Sequence, residues 1–188
     1  MRAIRDLIAA GTVGPVLSLR IFHAVELPVH LRGWRLDDPS AGGGVIADLT
    51  VHNADTARFL LGEDPVSVVA HMDATGLGQG VEDSAMSVWA MPSGAMVFSH
   101  ESFTHPFAGS GLEVHGTEGS IFATGVMTQA PVGEVVLAAT SAQGSELLAV
   151  LTADAVADDN LHLGSLEGPR LHVLSLPYEL DRDREIQR

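Results

Sequence analysis

The apolar positions of this chain change period several times, and each change marks an element. Between residues 2 and 10, Ile4, Leu7 and Ile8 recur at helical spacing and Gly11 follows, so a helix is predicted that stops at the glycine. "VLSLRIFHAV", residues 16–25, is dense in strand formers with partial alternation and predicts a strand. Pro28, Gly33, Pro39 and the glycines at 42–44 break the next stretch, which is read as a loop carrying Trp34 and Arg35. Residues 45–61 are apolar-rich, with Gly62 as a stop and Pro65 beyond, and predict a long helix. "VSVVAHM" then predicts a strand, and "DSAMSVWAMPSGAMVFSHESF" two strands joined at Pro92-Ser93-Gly94. "GLEVHGTEGSIFATG" repeats that design around residues 116–119, and "GEVVLAAT" adds one more strand. The sum is an α+β fold, a mostly antiparallel open sheet with a long helix packed beside it. Beyond about residue 142 neither period persists, so no element is predicted there.

Composition narrows the function. At 188 residues, 46% hydrophobic and 18% charged, the chain can bury one ordinary core. A formal net charge of −14 repels polyanions, which argues against nucleic-acid binding. The absence of cysteine removes thiolate metal sites and cysteine nucleophiles and is in keeping with a reducing compartment. No apolar run approaches the roughly 20 residues of a membrane helix, and the first residues do not resemble a secretion signal, so a cytoplasmic protein without membrane partners is expected. All ten positive residues are arginines; there is no lysine.

Chemistry concentrates on the predicted long helix. At about 100° per residue, Asp48, His52 and Asp55 fall within roughly 60° of one another, while Val45, Ile46, Leu49, Ala57 and Leu60 occupy a separate packing arc. Histidine titrates near neutrality and a carboxylate one turn away can orient it, which makes an acid/base pair. The same spacing also serves helices whose polar face is merely solvated. Other constellations carry less. "GLGQG", residues 76–80, follows a strand but leads into another strand, so it lacks the helix that a dinucleotide fingerprint requires and is read as a loop. His100 with His105, or His71 with His115, fall short of the three or four ligands of a metal site. Residues 100–105 are read as flanking an ordinary hairpin connection, with a loop closing over a cleft as the alternative. Trp89, Met91, Met96 and Phe98 are expected on a sheet face or oligomer surface, and no Gly-x-Ser-x-Gly elbow occurs.

Three strings, "IRDLIAAGTVGPVLSLRIFH", "AGGGVIADLTVHNADTARFLLGEDPVSVVA" and "GLEVHGTEGSIFATG", together resemble the second domain of Gfo/Idh/MocA-type oxidoreductases over about residues 2–137. "LPVHLRGWRL" resembles the branch of that family that includes anhydro-sugar reductases and inositol-type dehydrogenases. The resemblance implies oxidation or reduction of a sugar or polyol carbon with NAD or NADP. It further implies His52 as the proton donor or acceptor, Asp48 as its partner, and Trp34, Arg35 and Asp55 at the substrate. The family's Rossmann domain and the lysine of its Glu-Lys-Pro motif have no counterpart here. The expectation is therefore a substrate half: residues 1–14 the remnant of a linking helix, 15–141 the substrate-binding and oligomerisation domain, 142–188 a divergent or poorly ordered tail. Such a chain should be inactive alone and bind no dinucleotide tightly, with a separate nucleotide-binding chain as a conceivable partner and a homodimer formed through the sheet. The alternative is a non-catalytic carbohydrate-binding or dimerisation module.

Overall fold

The computed structural model describes residues 1–128, 133–140, 146–152 and 172–173. Helix α1 (Arg2–Ala9) leads into strand β1 (Val16–Ala24), followed by a kinked helix α2 (Val29–Asp37) and a short 3-10 turn (Pro39–Ala41). A π-turn (Ile46–Thr50) runs directly into helix α3 (Val51–Leu61). The remaining strands are β2 (Ser67–Asp73), β3 (Ser84–Ala90), β4 (Met96–Ser102), β5 (Ser110–Gly116), β6 (Gly119–Thr124), β7 (Glu134–Thr140), β8 (Glu146–Thr152) and β9 (His172–Val173). They form one mixed sheet in the order β2-β3-β4-β1-β5-β6-β7-β8-β9.

Among the described residues, β1 with β4 is the one parallel pair; every other ladder is antiparallel. Because β1 inserts between β4 and β5, the segment joining those two strands crosses the end of β1. The hairpin reading of residues 100–105 is therefore corrected: His100 lies within β4, and the connection spans a third strand. Alternation then separates the two faces. Leu19 and Ile21 on β1, Trp89 on β3, Val97 on β4, Leu112 and Val114 on β5, and Ile121 on β6 point to one side. There Ile4 and Leu7 of α1 and Ala57 and Leu60 of α3 cover them. Trp89 and Met91 are buried while Met96 and Phe98 are exposed, so these four do not share one face as the sequence suggested.

Two departures lie on the helical side. Residues 29–37, read as a loop, are helical around a kink at Gly33, whose φ of 21° breaks the run that Pro28 and the glycine had already disguised. Residues 46–61 are helical throughout, but the first turn is a π-turn rather than part of a uniform α-helix. Its extra residue per turn changes the angular positions computed for an ideal helix at Asp48, and such turns recur at functional sites. A second small core of Leu27, Leu36, Val45, Leu49, Ala85 and Phe103 ties α2, the π-turn and β3 together beneath it. Of the expected tail, Glu146–Thr152 and His172–Val173 pair into the sheet; the rest of residues 142–188 lies outside the described residues.

Candidate functional site

The site is built where α2 meets the π-turn. Gly43 permits this approach, since a side chain there would press on the backbone of Trp34 and Arg35. Gly44 has φ +110°, and a Cβ would collide with the Glu82 carboxylate, which instead accepts from Ile46 N at 3.2 Å while Glu82 O accepts from Val45 N at 3.0 Å. The helix start is thereby anchored to the chain preceding β3. The triple glycine is a docking surface for α2 as much as a helix leader.

That contact delivers Arg35 to Asp48. Arg35 Nε donates to Asp48 Oδ2 at 3.1 Å, with both side chains about a quarter exposed, and the guanidinium lies 4.5 Å from the centre of the Trp34 ring. Planar stacking and a directed N–H suit arginine specifically. His52 is exposed on the first turn of α3, and Asp55 is exposed one turn further on. No hydrogen bond or ion pair joins Asp55 to Asp48, His52, Trp34 or Arg35. The structure thus gathers Trp34, Arg35, Asp48 and His52 at one helix start and leaves Asp55 beside them without a bond to the group.

A residue that sequence reasoning passed over is His23, near the end of β1. Burial lowers its basicity first, repulsion from His52 lowers it further, and Asp48 partly offsets both. His23 is thus an electrostatic neighbour of both motif residues and is held neutral at physiological pH. Its Nδ1 is buried and has no hydrogen-bond partner. Strand alternation alone gives His23 a face but not a neighbour, because the helix that opposes it is more than twenty residues away.

Asn53 was missed as well. It occupies the buried stripe Leu49-Asn53-Ala57-Leu60 and is fully buried, a polar residue at a core position, which was the available signal. Its Nδ2 donates to Ser99 Oγ at 3.0 Å and Glu101 Oε1 at 2.7 Å, and Ser99 Oγ donates to the same carboxylate oxygen. Glu101 is fully buried on β4; burial raises its pKa, and the hydrogen bonds from Ser99 and Asn53 and the nearby Thr50 hydroxyl only partly oppose this.

The glycine-rich loop has an internal occupant. The Asp83 carboxylate accepts from the backbone N–H of Thr75 (2.7 Å), Gly76 (2.9 Å), Leu77 (2.6 Å) and Gly78 (2.9 Å), and from Thr75 Oγ1 (2.7 Å). Amides that could cradle a phosphate are committed to a side chain of the same chain. No lysine exists to reinforce an anion there. The described residues therefore do not fit a dinucleotide pyrophosphate at this loop. Among the described residues no group of three or more His, Asp or Glu side chains could hold a metal. His71 and His115 lie on strands separated by three others, and His100 and His105 meet edge to face at 5.2 Å. Among the described residues no helix is long and apolar enough to cross a membrane.

A family profile described as the GFO/IDH/MocA C-terminal domain matches residues 1–122. The chain is 54% identical over 137 residues to 1,5-anhydro-D-fructose reductase of Ensifer adhaerens, covering 72% of this chain and 41% of that protein. It is 36% identical over 100 residues to inositol 2-dehydrogenase of Rhizobium meliloti (strain 1021), covering 46% of this chain and 30% of that protein. The chain thus spans less than half the length of these relatives. The fold resembles that of levoglucosan dehydrogenase, solved in complex with NADH and levoglucosan, with a TM-score of 0.65 at 24% identity over 79% of this chain and 42% of the other.

Proposed function

The chain belongs to the GFO/IDH/MocA C-terminal domain family, and from that premise we propose that it supplies the substrate-binding and proton-transferring half of an NAD(P)-dependent oxidoreductase acting on a sugar or polyol CH–OH or carbonyl group. The observation that carries the proposal is the Arg35–Asp48 pair held against the π-turn, with the exposed His52 and the neutral His23 beside it. In oxidation His52 takes the proton of the reacting hydroxyl; in reduction it returns a proton to the carbonyl oxygen. Asp48, oriented by Arg35, accepts a hydrogen bond from a neighbouring substrate hydroxyl. Trp34 offers an apolar ring against the carbon face of a sugar. Asp55 contributes at the rim. The chain's own residues bind, orient and move a proton. The dinucleotide would be held elsewhere, by a nucleotide-binding unit that these described residues do not form.

Thermal melts across a panel of 1,5-anhydro sugars, inositols and linear polyols test this reading through the stabilisation that binding confers by mass action. A concentration-dependent rise is expected, smaller in Asp48→Asn and His52→Ala. A flat response across the panel would refute substrate binding, whereas a rise that neither substitution alters would favour a carbohydrate-binding module without proton chemistry.

The uncovered face of the sheet supports the homodimer. Val69, Val88, Phe98, Arg20, Glu113 and Phe122 form one row across β2, β3, β4, β1, β5 and β6, with the Arg20–Glu113 ion pair of 2.6 Å near its middle. Val69 is 77% and Val88 46% exposed, and Met86 and Met96 stand on the same face. Apolar area of this kind is characteristic of contact surfaces. Light scattering should give a dimer mass that Val88→Glu lowers to a monomer; a wild-type monomer at high concentration would exclude the dimer.

A further inference from the structure

The helical segment that carries the site rests on two separate apolar cores. Ala57 and Leu60 of α3 bury into the main core over the sheet, whereas Val45 and Leu49, at the π-turn, bury into the smaller one. Between Leu49 and Ala57 every residue is exposed or half-buried except Asn53, which is fully buried. The seam between the cores therefore falls where the π-turn passes into the α-helix, and there the contact with the sheet is polar.

That contact is a closed triangle. Asn53 Nδ2 donates both of its hydrogens, one to Glu101 Oε1 at 2.7 Å and one to Ser99 Oγ at 3.0 Å, and Ser99 Oγ donates to the same Oε1. A flipped amide would set Asn53 Oδ1 against the carboxylate, acceptor against acceptor, so the amide has one orientation. The Thr50 hydroxyl, with no hydrogen bond of its own, also acts on this carboxyl, against the burial that raises its pKa. Thr50 closes the π-turn and Asn53 is the third residue of α3, so Glu101 is engaged on both sides of His52, and Asp48 lies two residues before Thr50.

Direction is what this arrangement adds. Apolar burial is non-directional and tolerates rotation of a helix about its axis, whereas hydrogen bonds weaken steeply out of line. A side-chain tip stands about 5–6 Å from a helix axis, so a rotation of about 20° would carry the His52 ring through about 2 Å. Displacement on that scale breaks the 3.1 Å bond from Arg35 to Asp48 and takes His52 out of reach of a substrate oxygen. The other fastening of this segment, Glu82 at Val45 and Ile46, holds residues upstream of Asp48.

We propose that Glu101 is a positioning residue: with Ser99 it grips Asn53 and so sets the rotation of the junction between π-turn and α3, which brings Asp48 to Arg35 and aims His52 at the substrate oxygen. Glu101 itself touches no substrate. The role at substrate rests on the functional reading above; the setting of the junction does not.

Nuclear magnetic resonance on the full chain without ligand tests that setting. Two signals report it: the Arg35 Nε–H, whose exchange with water is slowed by the bond to Asp48, and the ring resonances of His52. Glu101→Leu should speed the Arg35 Nε–H exchange by about tenfold, as loss of a charge-assisted bond implies, and shift the His52 ring. Glu101→Gln keeps a carbonyl oxygen for Asn53 and Ser99 and should restore both signals. Leu137→Ala opens a cavity in the main core on β7 and should lower the melting temperature while leaving both signals as in the wild type. Ser99→Ala removes one donor to Oε1 and should speed the Arg35 exchange by about threefold, which decides the question where Glu101→Leu does not fold. Against the same polyol panel, the midpoint of the thermal shift should rise about tenfold in Glu101→Leu and return in Glu101→Gln. Unchanged Arg35 and His52 signals in a folded Glu101→Leu or in Ser99→Ala would overturn the proposal. So would a Glu101→Gln variant as disturbed as Glu101→Leu, an equal disturbance by Leu137→Ala, or equal polyol affinity in the wild type and Glu101→Leu. A panel flat against the wild type would count against the functional reading and leave the ligand-free spectra to decide this one.

Discussion

Replacing Asp83 dissects the structure at its most densely bonded side chain. The carboxylate satisfies four backbone N–H groups and one hydroxyl while itself fully buried, and Asp83→Ala removes all five bonds together. An orphaned buried donor costs about 1–3 kcal/mol, but Gly76 is exposed and its amide can turn to water, so the loss should be about 3–5 kcal/mol rather than the full sum. Asp83→Asn keeps one acceptor oxygen and turns an amide NH2 toward N–H groups, and should cost about 2–3 kcal/mol. The pH dependence adds a second signature. Burial raises the Asp83 pKa, yet the bonds from Gly78, Thr75 and Leu77 outweigh it and hold the carboxyl well below its ordinary range. A group depressed in the folded state contributes fully above its unfolded pKa of about 3.9, and that contribution fades as pH falls below this value toward the folded one. Urea denaturation at pH 7 and at steps down to about pH 3, followed through the buried Trp89, measures both effects. Asp83→Asn should be less stable at pH 7 and show a shallower loss of stability in acid. A variant within about 0.5 kcal/mol of wild type, with the same acid slope, would refute the assignment of Asp83 as the loop's internal anion.

Arg35→Lys should weaken polyol binding nearly as much as Arg35→Ala, because an ammonium cannot both stack on Trp34 and direct an N–H at Asp48; full retention of binding by the lysine variant would contradict that geometry. Calorimetric titration of the chain with NADH and NADPH should show no saturable micromolar binding, since the amides of the glycine loop are occupied and no lysine is present; a clear isotherm would place a cradle outside that loop.

Much of this was legible because it is local. The apolar period fixes α1 and residues 46–61, turn residues fix the β3–β4 and β5–β6 hairpins, and the strings around the triple glycine carry the family. What escaped is set by distant partners. Helix α2 is hidden by Pro28 and Gly33, whose usual meaning is a break, and it is stabilised through Leu36 in the smaller core. The parallel β1–β4 pair joins residues about eighty positions apart, and no local pattern announces that Glu101 will stand opposite His23. The π-turn at Asp48 is similarly invisible to an ideal-helix projection. Asp83 follows the glycine loop closely in sequence, but its role emerges only when the loop folds back on it.

The central claim is that Asp48, His52 and His23 form one polyol-responsive acid/base site. Following the imidazole resonances of His52 and His23 while titrating the chain with the polyol that gives the largest thermal shift tests it most directly. The account predicts saturable movement of both histidines with one shared midpoint, displaced to higher polyol concentration in Asp48→Asn and Arg35→Ala. Binding that moves neither histidine, or moves only residues on the open face of the sheet, would contradict it.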